Sequence, residues 1–166
     1  TAIAADGGNR KWMGTQRGLW LFDPFGEKQI YNFNAANSPL LSDRIVDIEI
    51  HPVTGEVFFV TERGVVSYRS DATASQPAFD KVKIFPNPVT AEFTGNVSIS
   101  GLSTDATVKV TDVSGKLIWQ TYANGGTATW DVRDYSGKRA ATGMYLVIAV
   151  SQDGSDSIVG KIAVIN

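Results

Sequence analysis

The chain has no cysteine and a single histidine, and each scarcity removes a class of chemistry. Without thiols there is no disulfide, no thiolate nucleophile and no thiolate metal site, although a secreted domain with a large enough core can do without disulfides. One histidine, His51, excludes most acid–base constellations that need an imidazole beside a second group, and neither a nucleophile elbow nor a phosphate-binding loop is present. The sequence therefore predicts no catalytic residue, no metal and no cofactor, and a protein that is not an enzyme. Long apolar runs are also lacking: the longest, MYLVIAV at 144–150, has the length of a buried strand and is far too short to cross a bilayer, so no transmembrane segment is expected. An excess of one charge is missing too. Residues 1–79 carry seven Lys/Arg against nine Asp/Glu and residues 80–166 carry eight against eight, which offers no field for nucleic acid. An apolar content of 43% still suffices for packed cores, and Thr1 in place of a methionine suggests a longer precursor.

What is present is internal repetition. WMGTQRGLWLFD (12–23) laid over FFVTERGVVSYR (58–69) puts Thr15 on Thr61, Arg17 on Arg63, Gly18 on Gly64 and Phe22 on Tyr68, at a spacing of 46 residues. Upstream, Ile3 and Asp6 align with Ile48 and His51 once one residue is inserted before Gly55. Each copy reads as an apolar strand, a polar turn, an aromatic strand, a tight turn at glycine and a third strand. The first copy adds a fourth, KQIYNF, and none follows VVSYRS in the second. Four short antiparallel strands in about 40 to 50 residues make the unit of a β-propeller.

The stretch IAADGGNRKWMGTQRGLWLFD resembles the two-component-regulator propeller repeat through Asp6, Trp12, Gly14, Thr15, Gly18 and Leu19. The second copy keeps Gly64 but has His51, Phe58 and Val60 where that pattern has Asp, Trp and Gly. The resemblance implies that residues 1–73 form a partial propeller of about two blades, the terminal part of a larger domain, in which these motif residues are structural.

The run SDATASQPAFD is small, polar and without apolar periodicity, and residues 74–80 within it read as a linker. Seven short alternating strands follow: KVKIF, NVSIS, TVKVTD, KLIWQT, TATWD, GMYLVIAV and SIVGKIAVIN. DVSGK at 112 and DYSGK at 134 place Asp first and Gly fourth, which suits a type I turn followed by positive φ. This spacing predicts an immunoglobulin-like β-sandwich over residues 81–166, with Val108, Val110, Trp119, Trp130 and alternate members of 144–150 as its core. The fold class expected is all-β: terminal blades of a β-propeller followed by an immunoglobulin-like sandwich.

In that order, IFPNPV, DVSGKLIW, TWDVRDYSGKRAATGMYLV and KIAVIN resemble the type A C-terminal domain of the type IX secretion system, and also the related flagellar-hook-cap immunoglobulin-like domain. Pro86, Asn87 and Pro88, then Gly143 and Tyr145, then Lys161, Ile162 and Val164 carry the match. The resemblance implies a secretion and docking module that engages the translocon and sortase of that machinery, and delivery through the outer membrane to the cell surface. Ile162 and Val164 are expected to pack inward while the edge of the last strand stays open for recognition. A propeller joined to such a tail further resembles surface components of the type IX attachment complex. That implies a non-enzymatic role, with anionic lipopolysaccharide as a candidate ligand and no residue assigned to it. Two other readings stay open: a secreted hydrolase or adhesin whose tail is cleaved, and a sensor ectodomain, since this propeller repeat also occurs in hybrid sensor kinases.

Other conspicuous residues have structural readings. His51 falls at a turn. Asp131 and Asp134 flank another, and Asp153 and Asp156 sit at a hairpin tip, where turn chemistry outweighs a cation site. Trp12 and Trp20 read as packing residues, with a sugar-binding face as the alternative.

Overall fold

The computed structural model describes residues 1–166 and is all-β, with 14 strands in four antiparallel sheets. The chain divides into two compact units, Thr1–Ala74 and Ser75–Asn166.

In the first unit, β1 (Ala2–Ala5), β2 (Lys11–Thr15), β3 (Gly18–Phe22) and β4 (Gln29–Phe33) form one meander, and β5 (Ile45–Ile50), β6 (Glu56–Thr61) and β7 (Gly64–Arg69) form another. The repeat read from the sequence is a repeat of turn geometry. Thr15 Oγ1 donates to the Gly18 carbonyl at 3.1 Å and accepts the Arg17 N–H, while Thr61 Oγ1 donates to Gly64 at 2.8 Å and accepts the Arg63 N–H. Gly18 and Gly64 sit at φ of +112° and +140°, where a Cβ would be strained.

The two sheets share one apolar core, but they meet through unlike faces. The first buries Trp12, Leu19 and Leu21, and the second buries Val57 and Phe59 with Tyr68 packed beside them. Trp12 and Gly14 correspond by the 46-residue spacing to Phe58 and Val60, which alternate out of that core. Strand alternation makes this unavoidable: with Val57 and Phe59 inward, Phe58 and Val60 point the other way. The Trp12 ring lies 5.3 Å from Phe59 and 5.8 Å from Tyr68. Gly14 leaves room for Ile45, whose side chain would collide with any Cβ there.

The residues that lead into the expected linker, 74–80, are held in the first unit. Ser70 and Ala72 are buried, the Ala74 N–H donates to the Pro52 carbonyl, and a Cβ on Gly55 would strike the Ala72 carbonyl. The side chains of residues 74–78 are exposed.

The second unit contains all seven expected strands: β8 (Lys83–Phe85), β9 (Val97–Ser100), β10 (Thr107–Asp112), β11 (Leu117–Tyr122), β12 (Thr127–Trp130), β13 (Gly143–Val150) and β14 (Ser157–Val164). They form two sheets, ordered β12-β9-β8 and β11-β10-β13-β14. Val97, Ile99 and Trp130 from the first share a core with Val108, Val110, Tyr145, Val147 and Ile162 from the second. Burying each large side chain contributes roughly 1.5 to 3 kcal/mol. Trp119 packs against this core from its rim. It is half-buried on the edge strand β11, next to a register shift at Val110/Thr111, and its ring rests 4.8 Å from Tyr135. Gly115 and Gly137 close their turns at φ of +88° and +80°.

Candidate functional site

Two prolines one residue apart cannot continue a ladder, because neither has an N–H to donate. The chain uses them to change sheets. It leaves β8 at Phe85 and reaches the far edge of the other sheet at Val89, which forms a parallel bridge with Val164. The Val89 N–H donates to the Ala163 carbonyl and its own carbonyl accepts from the Ile165 N–H, both at 2.8 Å. Between the prolines, the side chain of Asn87 does what a backbone amide would do. Its Nδ2 donates to the Lys161 carbonyl at 2.9 Å and its Oδ1 accepts the Ala163 N–H at 3.1 Å. Asparagine suits the place because its side chain carries a donor and an acceptor in one plane.

The chain just beyond the same end of β14 is held by a residue that sequence reasoning passed over. Arg139 spreads its guanidinium over three acceptors: Nε donates to Asn166 Oδ1 at 2.9 Å, Nη1 to the Phe93 carbonyl at 3.1 Å and Nη2 to the Thr90 carbonyl at 3.0 Å. Only an arginine fork reaches acceptors so disposed. Asn166 in turn donates through Nδ2 to the Ala140 carbonyl and through its N–H to Thr142 Oγ1. In sequence, Arg139 belongs to the polar run SGKRAATG and looks like any solvated turn residue.

Gly143 and Tyr145 complete the same region, pairing with Val164 and Ile162 across the ladder. The Tyr145 hydroxyl donates to the Ala141 carbonyl at 2.8 Å, and its ring lies 5.8 Å from Trp130. Burial pushes its pKa up, with the charge of Asp112 adding to the effect. The sequence-selected residues Pro86–Pro88, Gly143, Tyr145, Lys161, Ile162 and Val164 thus lie on β13, β14 and the segment laid along β14. Ile162 and Val164 are buried. The expectation that this edge stays open is corrected for its C-terminal half: Asn87 and Val89 already occupy it from Lys161 to Ile165. The pull toward that pairing comes from the strand's own unpaired amides, which need partners wherever the chain can supply them.

The acidic residues are taken up by turns. Asp134 Oδ1 accepts from the Ser136 N–H and hydroxyl and from the Lys138 N–H, Asp112 repeats this with Ser114 and Lys116, and Asp131 accepts from the Arg133 N–H. These bonds, the serine hydroxyls first, hold the Asp112 and Asp134 carboxyls below their ordinary range. Asp153 is lowered to about 2, by the Ser155 hydroxyl first and then by the Ser155 N–H and the Ser151 hydroxyl. Asp156 accepts the Phe79 N–H. His51 Nδ1 accepts the Val53 and Thr54 N–H groups at 3.3 and 3.2 Å, closing its turn.

In the first unit the repeat residues serve packing. Asp6 is buried, accepts the Gly8 and Arg10 N–H groups, and binds Arg10 Nε at 2.8 Å. Arg10 also reaches Ser70 Oγ at 2.9 Å and Asp71 at 2.8 Å. Burial opposes its charge, yet Asp71 and Asp6 together hold its pKa above the ordinary value. Neither Arg10 nor Asp71 was singled out by the sequence, since a basic residue in a polar turn carries no sign of a buried partner 61 positions away. Trp12 and Leu19 are fully buried, whereas Trp20 is half-buried.

Against known proteins, the family described as the secretion system C-terminal sorting domain matches residues 83–165, half of the chain. No curated protein matches the sequence. Among solved structures, PorZ, an essential bacterial surface component of the type-IX secretion system of Porphyromonas gingivalis, is similar at 30% identity with a TM-score of 0.66. That likeness covers 99% of this chain and 22% of PorZ, so the chain spans about a fifth of that protein. Dimeric latent PorU from the same organism is similar at 18% identity over 66% of this chain and 12% of its own, with a TM-score of 0.36.

Proposed function

The chain belongs to the family of secretion-system C-terminal sorting domains, and from that membership we propose that it is a non-enzymatic cell-surface component of the type IX secretion attachment complex. Residues 75–166 serve in this reading as the secretion and docking module, with the translocon and the sortase as partners and anionic lipopolysaccharide as a ligand of the assembled complex. The observation that carries it is the likeness to PorZ, which runs through both units in the same order rather than through the sorting domain alone.

The finer fold belongs to the same reading. Thr1–Ala74 is the terminal part of a β-propeller, supported by sheets that meet through unlike faces: such stacking repeats around a ring, whereas two sheets facing through like surfaces would close as a pair. Ser75–Asn166 is an immunoglobulin-like sandwich, supported by the shared core of its two sheets and by the Tyr145 hydroxyl bonded four residues back to Ala141.

A second reading, a secreted cargo whose tail is removed, is favoured by one observation: the side chains of residues 74–78 are exposed, where a peptidase can reach the chain. Mass spectrometry of the mature protein on intact cells separates the two. Peptides spanning residues 70–90 are expected if the tail is retained, and a new C-terminus within 74–80 would remove the attachment reading.

A further inference from the structure

With Asn87 and Val89 covering β14 from Lys161 onward, the beginning of the strand is left uncovered. β14 borders its sheet, and β8 borders the other. On β14, the N–H groups of Ala163 and Ile165 and the carbonyls of Lys161 and Ala163 turn outward to the 87–89 segment. Strand periodicity of two places the backbone groups of Val159 on that same outward side, with no partner. Between this edge and β8 lies a cavity of about 210 Å³, lined by Ile84, Ile99, Val147, Ala149, Ile158 and Gly160. Gly160 is what lets the edges come close, since a Cβ there would run into Ile84 Cδ1. Val159 and Phe85 stand exposed on either side, at 61% and 73%.

Charge identifies the occupant. Lys161 lines the cavity, and Lys83 and Lys81 follow on the β8 side, all three exposed and none in an ion pair. The acids that adjoin these segments in the chain are Asp80 and Asp156, and Asp156 already accepts the Phe79 N–H. Edge lysines discourage pairing with a second copy, whose own Lys83 and Lys161 would be brought against these. The geometry points to a binding slot for a short extended acidic segment of a partner protein. The segment adds to β14 at Ser157–Lys161, directs alternate apolar side chains into the cavity and sets a carboxylate beside Lys161, with Lys83 and Lys81 adding positive charge from the β8 side. Main-chain bonds supply affinity, and the apolar and acidic alternation supplies choice of partner. This deepens the docking role proposed above and rests on it for the partner's place in the secretion machinery, while the slot itself is a property of the chain.

The test uses the isotopically labelled full chain and a short, end-blocked peptide alternating valine and glutamate. Amide shifts confined to residues 157–161 and 82–87 and to the cavity-lining Ile99, Val147 and Ala149 are expected, with the lysine-for-glutamate peptide at least about tenfold weaker. Val159→Pro removes an outward N–H and should abolish binding; Lys161→Glu, which leaves the backbone untouched, should weaken the glutamate peptide about tenfold and favour the lysine one. Equal affinity for the two peptides, shifts elsewhere, or a concentration-dependent dimer through these same residues overturns the inference. No binding overturns it whether or not the protein reaches the surface. Binding by a chain whose tail is cleaved on cells upholds the slot and removes only the attachment role.

Discussion

Asn87 and Lys161, 74 positions apart, are joined by a hydrogen bond of 2.9 Å from the side-chain amide of the first to the backbone carbonyl of the second. The proline-flanked motif and the last strand are therefore one structural element, and a change in either is felt in both.

Replacing Asn87 by alanine removes this bond and the one from the Ala163 N–H. At about 0.5 kcal/mol for each of these exposed bonds, the low end of the usual range, the second unit should lose about 1 kcal/mol in denaturant unfolding. Hydrogen exchange at Ala163 should accelerate, whereas exchange at Val108 in the core should change only with global stability. An unchanged rate at Ala163 would argue against the bridging role.

Arg10→Met leaves the Asp6 carboxylate, whose side chain is 0% exposed, without its countercharge. Breaking a buried pair from one side costs about 3 to 5 kcal/mol, so the first unit should melt markedly earlier. Asp71→Asn should cost much less, because the Asp71 side chain is 35% exposed and water takes over part of its role. Equal losses from the two substitutions would contradict this ranking.

Acid should weaken the second unit through its turns. Asp112, Asp134 and Asp153 have lowered pKa values in the folded state, so below the unfolded aspartate value of about 3.9 the unfolded chain binds more protons. The stability they contribute is present above that value and is lost as pH falls toward about 2, where Asp153 itself titrates. Thermal melts across this range should fall less steeply for Asp153→Asn than for the parent chain.

At the alkaline end, Tyr68 should be the last tyrosine to ionise. Burial, then the neighbouring Tyr31, pushes it up to about 12. Ultraviolet titration should show a late step that disappears in Tyr68→Phe. Since the unfolded chain gives up this proton nearer pH 10, the contribution of Tyr68 to stability is present below that pH and is lost as pH rises through about 12.

Deleting residues 161–166 removes Ile162 and Val164 from the core and strips Val89 of its partner. At roughly 1.5 to 3 kcal/mol for each side chain, the second unit should not stay folded, and surface delivery should stop. Arg139→Gln separates folding from delivery: it removes the charged fork but no buried side chain, so it should lower the melting temperature only modestly. Delivery of the truncated chain at the parent level would refute the assignment of export information to this strand.

What the sequence by itself determined was local. Alternation with a period of two set out all seven strands of the second unit, because a side chain's face follows from its neighbours in the chain alone. The Asp-x-x-Gly turns and the paired Thr-x-Arg-Gly turns were equally legible, since their hydrogen bonds close within four residues. Tertiary structure decided which distant groups meet. The unlike faces joined by Trp12 and Phe59, the pairing of Asn87 with Lys161, the Arg139 fork on Asn166 and the buried charges of Arg10, Asp6 and Asp71 all depend on sheet order and on how the chain crosses between edges. A polar residue in a turn reads the same whether it faces water or a partner brought in from elsewhere, and only the folded chain supplies that partner.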